Sequence, residues 1–308
     1  MTNESSFFAT RHSTPERNKT PQDPASKEYP DLTEGGVEKA KAKARSEIAE
    51  LIKKAPADAV IIIAATSDQP RAKQTAEIYG DELTVLQSQT QDENLITITK
   101  KQIDQLTPAV PEEQADKKGF MPGKIIQTVN KLKEVISQNP DKKIIIGYPI
   151  MVNELAYKFR NRWTDKAGKK TEYFSEILKK HSNNHEEAGK DWIANDGKLE
   201  LPNGRTIQGP HPADVGKEYL QGVRRLQEFA KSHIGNRPVI VGEVGHQWDL
   251  DALVTALANN GKVGMESFNR ITGGDIAGET EMTEFTIADN RTTVKYRGKK
   301  FITSHDAD

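Results

Sequence analysis

The chain has 308 residues, room for one large domain or two modest ones, with 35% hydrophobic and 29% charged residues. Lys plus Arg number 44 and Asp plus Glu 45, a formal charge of −1, so no global basic bias points to nucleic acid. The absence of cysteine excludes disulfides, thiol catalysis and cysteine-ligated metals, and fits a reducing compartment. The first residues show no basic segment leading into a long apolar one, and no apolar run reaches the length of a membrane helix. The expectation is a soluble, cytoplasmic protein with no membrane partner.

In chain order, residues 6–10 read as a short strand running into Arg11 and His12, and the proline-containing polar stretch 19–31 as a loop. Thr33 can cap a helix whose apolar positions Val37, Ala40, Ala44, Ile48, Leu51 and Ile52 recur at helical spacing. The continuous apolar run AVIIIAA, 59–65, is the pattern of a strand buried on both faces, as in a parallel sheet. SDQPRAKQTAEIYG comes next as a helix with a capping Ser or Asp, Pro70 in its first turn and Gly80 at its stop. LTVLQ, 83–87, is read as the next strand, and 88–123 carries no clear pattern. A helix is predicted over 124–137, with Ile125, Val129, Leu132 and Ile136 on one face, and strand, turn and helix over 142–159.

Residues 164–211, rich in Lys, Asn, Gly and His, lack a sustained period and read as an insertion or cap. A helix is predicted over 213–231, then a strand, PVIVGEVGH, ending in His246, and a helix, WDLDALVTALANNG, stopped by Gly261. TEFTIADNRTTVKYRG reads as a hairpin turning at Asp289-Asn290 on a sheet edge. The alternation of strand and helix predicts an α/β fold: a three-layer sandwich with a mostly parallel central sheet flanked by helices, plus an inserted cap. The whole is read as a single domain over 1–308, with 95–211 inserted within it.

In open α/β sheets, ligands gather beyond the C-terminal ends of the strands. Three strand ends here carry residues suited to an anion: Arg11 and His12, Arg71 in the first turn of the helix after the second strand, and His246. Converged, they supply two guanidinium forks and two imidazoles, one of which could attack phosphorus while the positive surroundings stabilise developing charge. A cation in a first helical turn is misplaced as mere surface but sensible as an anion ligand. His181 and His185 have the spacing of metal ligands on a helix. The asparagines between them are poor helix formers and no third ligand is evident, so no metal is assigned. His211 reads as a loop residue, and His233 and His305 as surface positions.

Four segments in order resemble the histidine phosphatase superfamily, the phosphoglycerate mutase-like fold: RHSTPERN, DLTEGGVEKAKA, TSDQPRAKQTAEIY and VIVGEVGHQWDLDAL. The resemblance implies a metal-independent phosphomonoesterase that uses no cofactor and takes a small phosphorylated substrate. It implies that His12 forms a phosphohistidine, with Arg11, Arg71 and His246 on the phosphoryl oxygens and Asn18 assisting. Ser13 stands where the family has glycine, and counts as a substrate contact. The leaving oxygen needs a proton donor. Glu93 is the first choice, with Asp92 beside it and Asp249, just past the second histidine, as the alternatives. Phosphoglycerate-mutase-like transfer, or a non-catalytic phospholigand-binding member of the fold, are the other readings of the same residues. Substrate identity and oligomeric state are not legible.

Overall fold

A computed structural model describes residues 5–16, 22–106, 131–151, 153–165, 167–235, 237–288 and 291–304. Its centre is an eight-stranded sheet in the order β10-β9-β8-β1-β7-β2-β4-β3. The strands are β1 Ser5–Arg11, β2 Val60–Ala65, β3 Leu95–Thr99, β4 Lys143–Met151, β7 Val239–Gly245, β8 Met282–Ala288, β9 Arg291–Tyr296 and β10 Lys299–Ser304. From β1 through β7, β2, β4 and β3 the pairing is parallel, while β8, β9 and β10 continue from β1 antiparallel. The sheet is therefore mixed, which corrects the expectation of a mostly parallel one. The short connections after Ala288 and Tyr296 allow only antiparallel neighbours, since a parallel return needs a crossover of a dozen residues or so. The turn residues Asp289 and Asn290 lie outside the described residues. The hairpin they join is not the edge, because β10 lies beyond it.

All six residues of β2 are buried, and they alternate between two cores. Val60, Ile62 and Ala64 face a cluster with Tyr219, Val223, Leu250 and Leu253, from helices α8 (Pro212–Ile234) and α9 (Gln247–Leu257). Ile61, Ile63 and Ala65 face Val37, Ala40, Ile48, Ala72 and Ala76. These come from α1 (Glu34–Lys43), the π-helical turn Ala44–Ile48 that continues into α2 (Ala49–Lys54), and α3 (Pro70–Thr90). Helices thus flank the sheet on both faces, as the unbroken apolar run of β2 requires.

LTVLQ, 83–87, is not a strand but the last part of α3, which runs to Thr90 and ends on Gln91 in the left-handed conformation at φ 52°. Gly80 is no stop signal. A Cβ there would come 2.6 Å from Gly147 Cα, so the glycine lets the helix press directly onto β4. The third strand is instead 95–99, and α4 (Lys100–Leu106) comes directly after it. Of the helix expected over 124–137, the part from 131 onward is described and is helical.

β3 and β4 fall within the 95–211 stretch yet belong to the central sheet, so among the described residues it is the segment after β4 that stands apart from it. That segment holds α5 (Asn153–Trp163), α6 (Glu172–Lys180), α7 (His185–Ala194) and a hairpin of β5 (Lys198–Glu200) with β6 (Thr206–Gln208). Its helices are well signalled locally. Thr171 accepts from the Phe174 amide and Asn184 from those of Glu186 and Glu187. A third core, with Phe159, Trp163, Tyr173, Ile177 and Trp192, joins it to Trp248 of α9 and to Phe268 of α10 (Met265–Thr272). Among the described residues no helix is long and apolar enough to cross a membrane.

Candidate active site

β1, β7 and β2 are parallel neighbours, so their C-terminal ends open onto one edge of the sheet. Arg11 pairs with Gly245, and the His12 amide donates to the Gly245 carbonyl at 3.0 Å. His12 and His246, each one residue past its strand, are thereby set side by side, with ring centroids 5.3 Å apart and planes at 65°. Arg71, from the first turn of α3 beyond β2, reaches both: its Nε donates to His12 Nε2 at 3.0 Å, and one of its terminal nitrogens lies 3.3 Å from His246 Nδ1.

These contacts fix the tautomers. Arginine only donates, so the ring nitrogens facing it present lone pairs. His12 Nδ1, 2.7 Å from the Ser13 carbonyl, must then carry the proton and donate to it. The lone pair of His12 is thus on Nε2. By the same argument the His246 proton lies on Nε2, which donates to Ser67 Oγ at 2.6 Å. Ser67 also accepts from the Gln69 amide at 3.2 Å, so the residue that begins the turn into α3 also holds the second imidazole. Arg11 anchors through the Ala277 carbonyl at 2.8 Å.

A cleft of about 270 Å³ opens over these groups, lined by Arg11, His12, Arg71 and His246 on one side. Phe159, Trp163, Phe174 and Trp248 face them, with Lys170 and His185 at the margin. Phe159 stacks on His246 at 4.2 Å between centroids. Asp249, in the first turn of α9, is the carboxylate among the described lining residues, and it is 4% exposed. Burial raises its carboxyl above the ordinary range. Arg162 nearby and the Trp163 indole, which donates to Oδ1 at 3.1 Å, pull it down, and Glu218 adds to the rise.

The structure does not bring Glu93 to this cleft. Glu93 and Asp92 are exposed in the turn before β3, at the N-terminal end of a strand parallel to β4, hence at the opposite end of the sheet. The misplacement stems from reading 83–87 as the third strand. Ser13 is fully buried and faces away: its hydroxyl donates to the Gly36 carbonyl at 2.6 Å and its amide to Thr75 Oγ1 at 3.1 Å. It ties the loop after β1 to α1 instead of lining the cleft. Asn18 lies outside the described residues. His181 and His185 sit on different helices: His181 caps the end of α6 and hydrogen-bonds Asp191, while His185 begins α7. Among the described residues no three His, Asp or Glu side chains are grouped to hold a metal.

The aromatic side of the cleft is not foreseen in the sequence. All three tryptophans of the chain share one packed cluster, Trp163 to Trp248 at 5.0 Å and Trp192 to Trp248 at 5.6 Å. Their indole N–H groups are bonded to Asp249, Pro210 and His185 acceptors. Only the concentration of tryptophan after residue 160 hints at it.

Paired imidazoles and guanidinium groups at the strand ends of an α/β protein are a set of side chains suited to a phosphate-sized anion. Residues 7–121 match the family model described as histidine phosphatase superfamily (branch 1), so the resemblance to that superfamily is shown over this stretch, which is less than half of the chain. No curated protein matches the sequence. Among solved structures the chain is similar to one described as mycobacterial hydrolase 1, at 14% identity and TM-score 0.39, covering 99% of this chain and 100% of that one. It is similar to a mycobacterial glucosyl-3-phosphoglycerate phosphatase in complex with VO3, at 15% identity and TM-score 0.39 over 92% and 97%. It is also similar to a phosphoglycerate mutase from Bacillus anthracis str. Sterne, at 13% identity and TM-score 0.38 over 97% and 94%.

Proposed function

We propose that the protein is a phosphomonoester hydrolase acting through a phosphohistidine on His12. The observation that carries this reading is the His12 tautomer: Nδ1–H is held by the Ser13 carbonyl, and the Nε2 lone pair, which accepts from Arg71 Nε at 3.0 Å beside His246, is released when a phosphoryl group draws the guanidinium onto its oxygens. That nitrogen attacks phosphorus as the ester P–O bond breaks. Arg11 and Arg71 take the phosphoryl oxygens as negative charge develops, and His246 joins them when its Nδ1 gains a proton and can donate.

Asp249 is the proton donor in this reading, in place of Glu93. Burial raises this carboxyl above its usual range, which favours the protonated form that can pass a proton to the leaving oxygen. The resulting carboxylate then accepts a proton from the water that attacks phosphohistidine, which frees inorganic phosphate and restores both residues. The chemistry assigns its charge stabilisation to arginines, so no metal is required, and turnover is expected to be indifferent to EDTA. The protein is read as a single, cytoplasmic domain whose segment after β4 walls the leaving-group side of the cleft.

Rapid-quench experiments with a labelled phosphomonoester test this. The expected result is a phosphoenzyme that is labile in acid and stable in alkali, formed by the wild type and not by His12→Ala. Undiminished phosphate release by a folded His12→Ala protein refutes it.

A further inference from the structure

Opposite the imidazoles, the cleft presents carbon surface. Trp163 and Trp248 contribute to that wall, but their indole N–H groups are already bonded, to Asp249 Oδ1 and to the His185 carbonyl at 2.9 Å. What they offer a ligand is ring surface and not hydrogen bonds. They pack against Phe174 at 5.4 and 5.3 Å, the latter at 90°, and so fix its orientation. Phe174 itself is half-buried, with one part of its ring left to the cleft. Gln69, Thr164 and Gln247 also line the cleft, but the ring faces of this wall offer an aromatic group the flat contact it needs and give a hydroxyl nothing.

At the margin stands a positive charge. Lys170 is exposed, its Nζ 5.8 Å from the centre of the Phe174 ring, and no carboxylate pairs with it among the described residues. The His185 ring lies 5.9 Å from Phe174. The cleft volume of about 270 Å³ is at or below the low end of small-molecule pockets, roughly 300–1,000 Å³, enough for a phosphoryl group and one ring.

We infer that the substrate is a phosphomonoester whose leaving group carries a single aromatic ring, laid against Phe174, and a second acidic group directed to Lys170. This rests on the phosphomonoesterase reading of the same cleft. The phosphoryl group sits between His12 and His246, the leaving oxygen beside Asp249, the ring on the aromatic wall and the second anion at the margin.

The test uses esters whose leaving oxygens are all alkoxides, so that intrinsic reactivity does not mask recognition: glycerol 2-phosphate, glucose 6-phosphate, benzyl phosphate and 4-carboxybenzyl phosphate. Ring contact of this kind is worth up to about tenfold, so kcat/KM for benzyl phosphate should exceed that for glycerol 2-phosphate by that order, chiefly through KM. The carboxylate should add a further factor of a few, lost with rising salt. In Phe174→Leu, which keeps an apolar side chain, the benzyl-to-glycerol ratio should fall towards one. In Lys170→Met the carboxybenzyl-to-benzyl ratio should do so.

Turnover in which glycerol or glucose phosphate equals or exceeds benzyl phosphate, or ratios unmoved by both variants, overturns the inference while leaving the hydrolase reading intact. If no ester is turned over and no phosphoenzyme forms, the hydrolase reading fails instead. Calorimetric affinities of the same four esters against inorganic phosphate then decide the ring preference on their own.

Discussion

At the anion end of the cleft, Arg11, His12 and His246 are placed by main-chain hydrogen bonds between β1 and β7; at the far end, Phe159, Trp163 and Phe174 are placed by rings packed on rings. The first arrangement is set by a ladder register, in which a one-residue slip would turn every side chain to the other face. The second is set by volume and ring orientation, which tolerate exchange among apolar residues of similar size. Substitutions at the two ends should therefore fail differently. Those at the strand ends should remove chemistry, and those on the aromatic side should retune it.

The largest effect expected is at His12, the proposed nucleophile. His12→Ala should lower kcat by at least about a thousandfold with melting temperature little changed, as thermal unfolding and steady-state assays on one preparation would show. A loss of stability in step with activity would mean that the imidazole is structural, and the contrast between the two ends would collapse.

Next comes Asp249→Asn, which should slow alkyl phosphates by about a hundredfold to ten-thousandfold and p-nitrophenyl phosphate far less, because nitrophenolate departs without a proton. Glu93→Gln and Asp92→Asn, at the other end of the sheet, should behave like wild type on both substrates. A selective loss in either would return the proton donor to the turn before β3.

Glu243 tests the ladder itself. It lies on β7 opposite Ala9 and is fully buried, and burial pushes its carboxyl from 4.5 up to about 8 against the opposing pull of the Tyr219 hydroxyl. Below the unfolded value both states hold the proton. Between there and about pH 8 only the folded state does, so stability should fall as pH rises through that window and level off above it. The Glu243 share is on the order of several kcal/mol, and Glu243→Gln should remove it while leaving that of Asp251, whose carboxyl burial likewise pushes up to about 8. Urea midpoints at about pH 5 and pH 9 for both proteins measure this. A wild type no less stable at the alkaline end would show that the carboxylate is solvated.

The smallest effect is on the aromatic side. The Trp163 indole favours the Asp249 carboxylate, so Trp163→Phe should raise that carboxyl further. Since the donor must be protonated, the alkaline fall of kcat should move to higher pH while the maximum stays. A downward movement would indicate that the loss of packing admits water to Asp249.

Legibility in the sequence divides along the same line. Arg11, His12, Arg71 and His246 can be read because strands with unbroken apolar runs announce where they end, and the ends of parallel neighbours meet. Glu93 misleads because Gly80 looks like a helix stop when its actual partner, Gly147, lies in a distant segment. Ser13 looks like a ligand because a residue after the nucleophile reads as exposed until the Gly36 carbonyl it bonds is known. The antiparallel side of the sheet is half visible: the hairpin can be read, but not that β10 lies outside it. The aromatic wall is illegible, since its members come from α5, α6 and α9 and share no period.

The sheet order also has a consequence for how the molecule is made. β7 lies between β1 and β2, although both of those are synthesised long before it. Until residues 239–245 emerge, the two early strands have no native partner between them and present open edges to solvent. The long sequence separation makes their closure slow, and exposes them to pairing with other chains in the interval. Arrival of β7 fills that gap, and the same insertion brings His246 beside His12. Completion of the sheet and juxtaposition of the two imidazoles are thus one event.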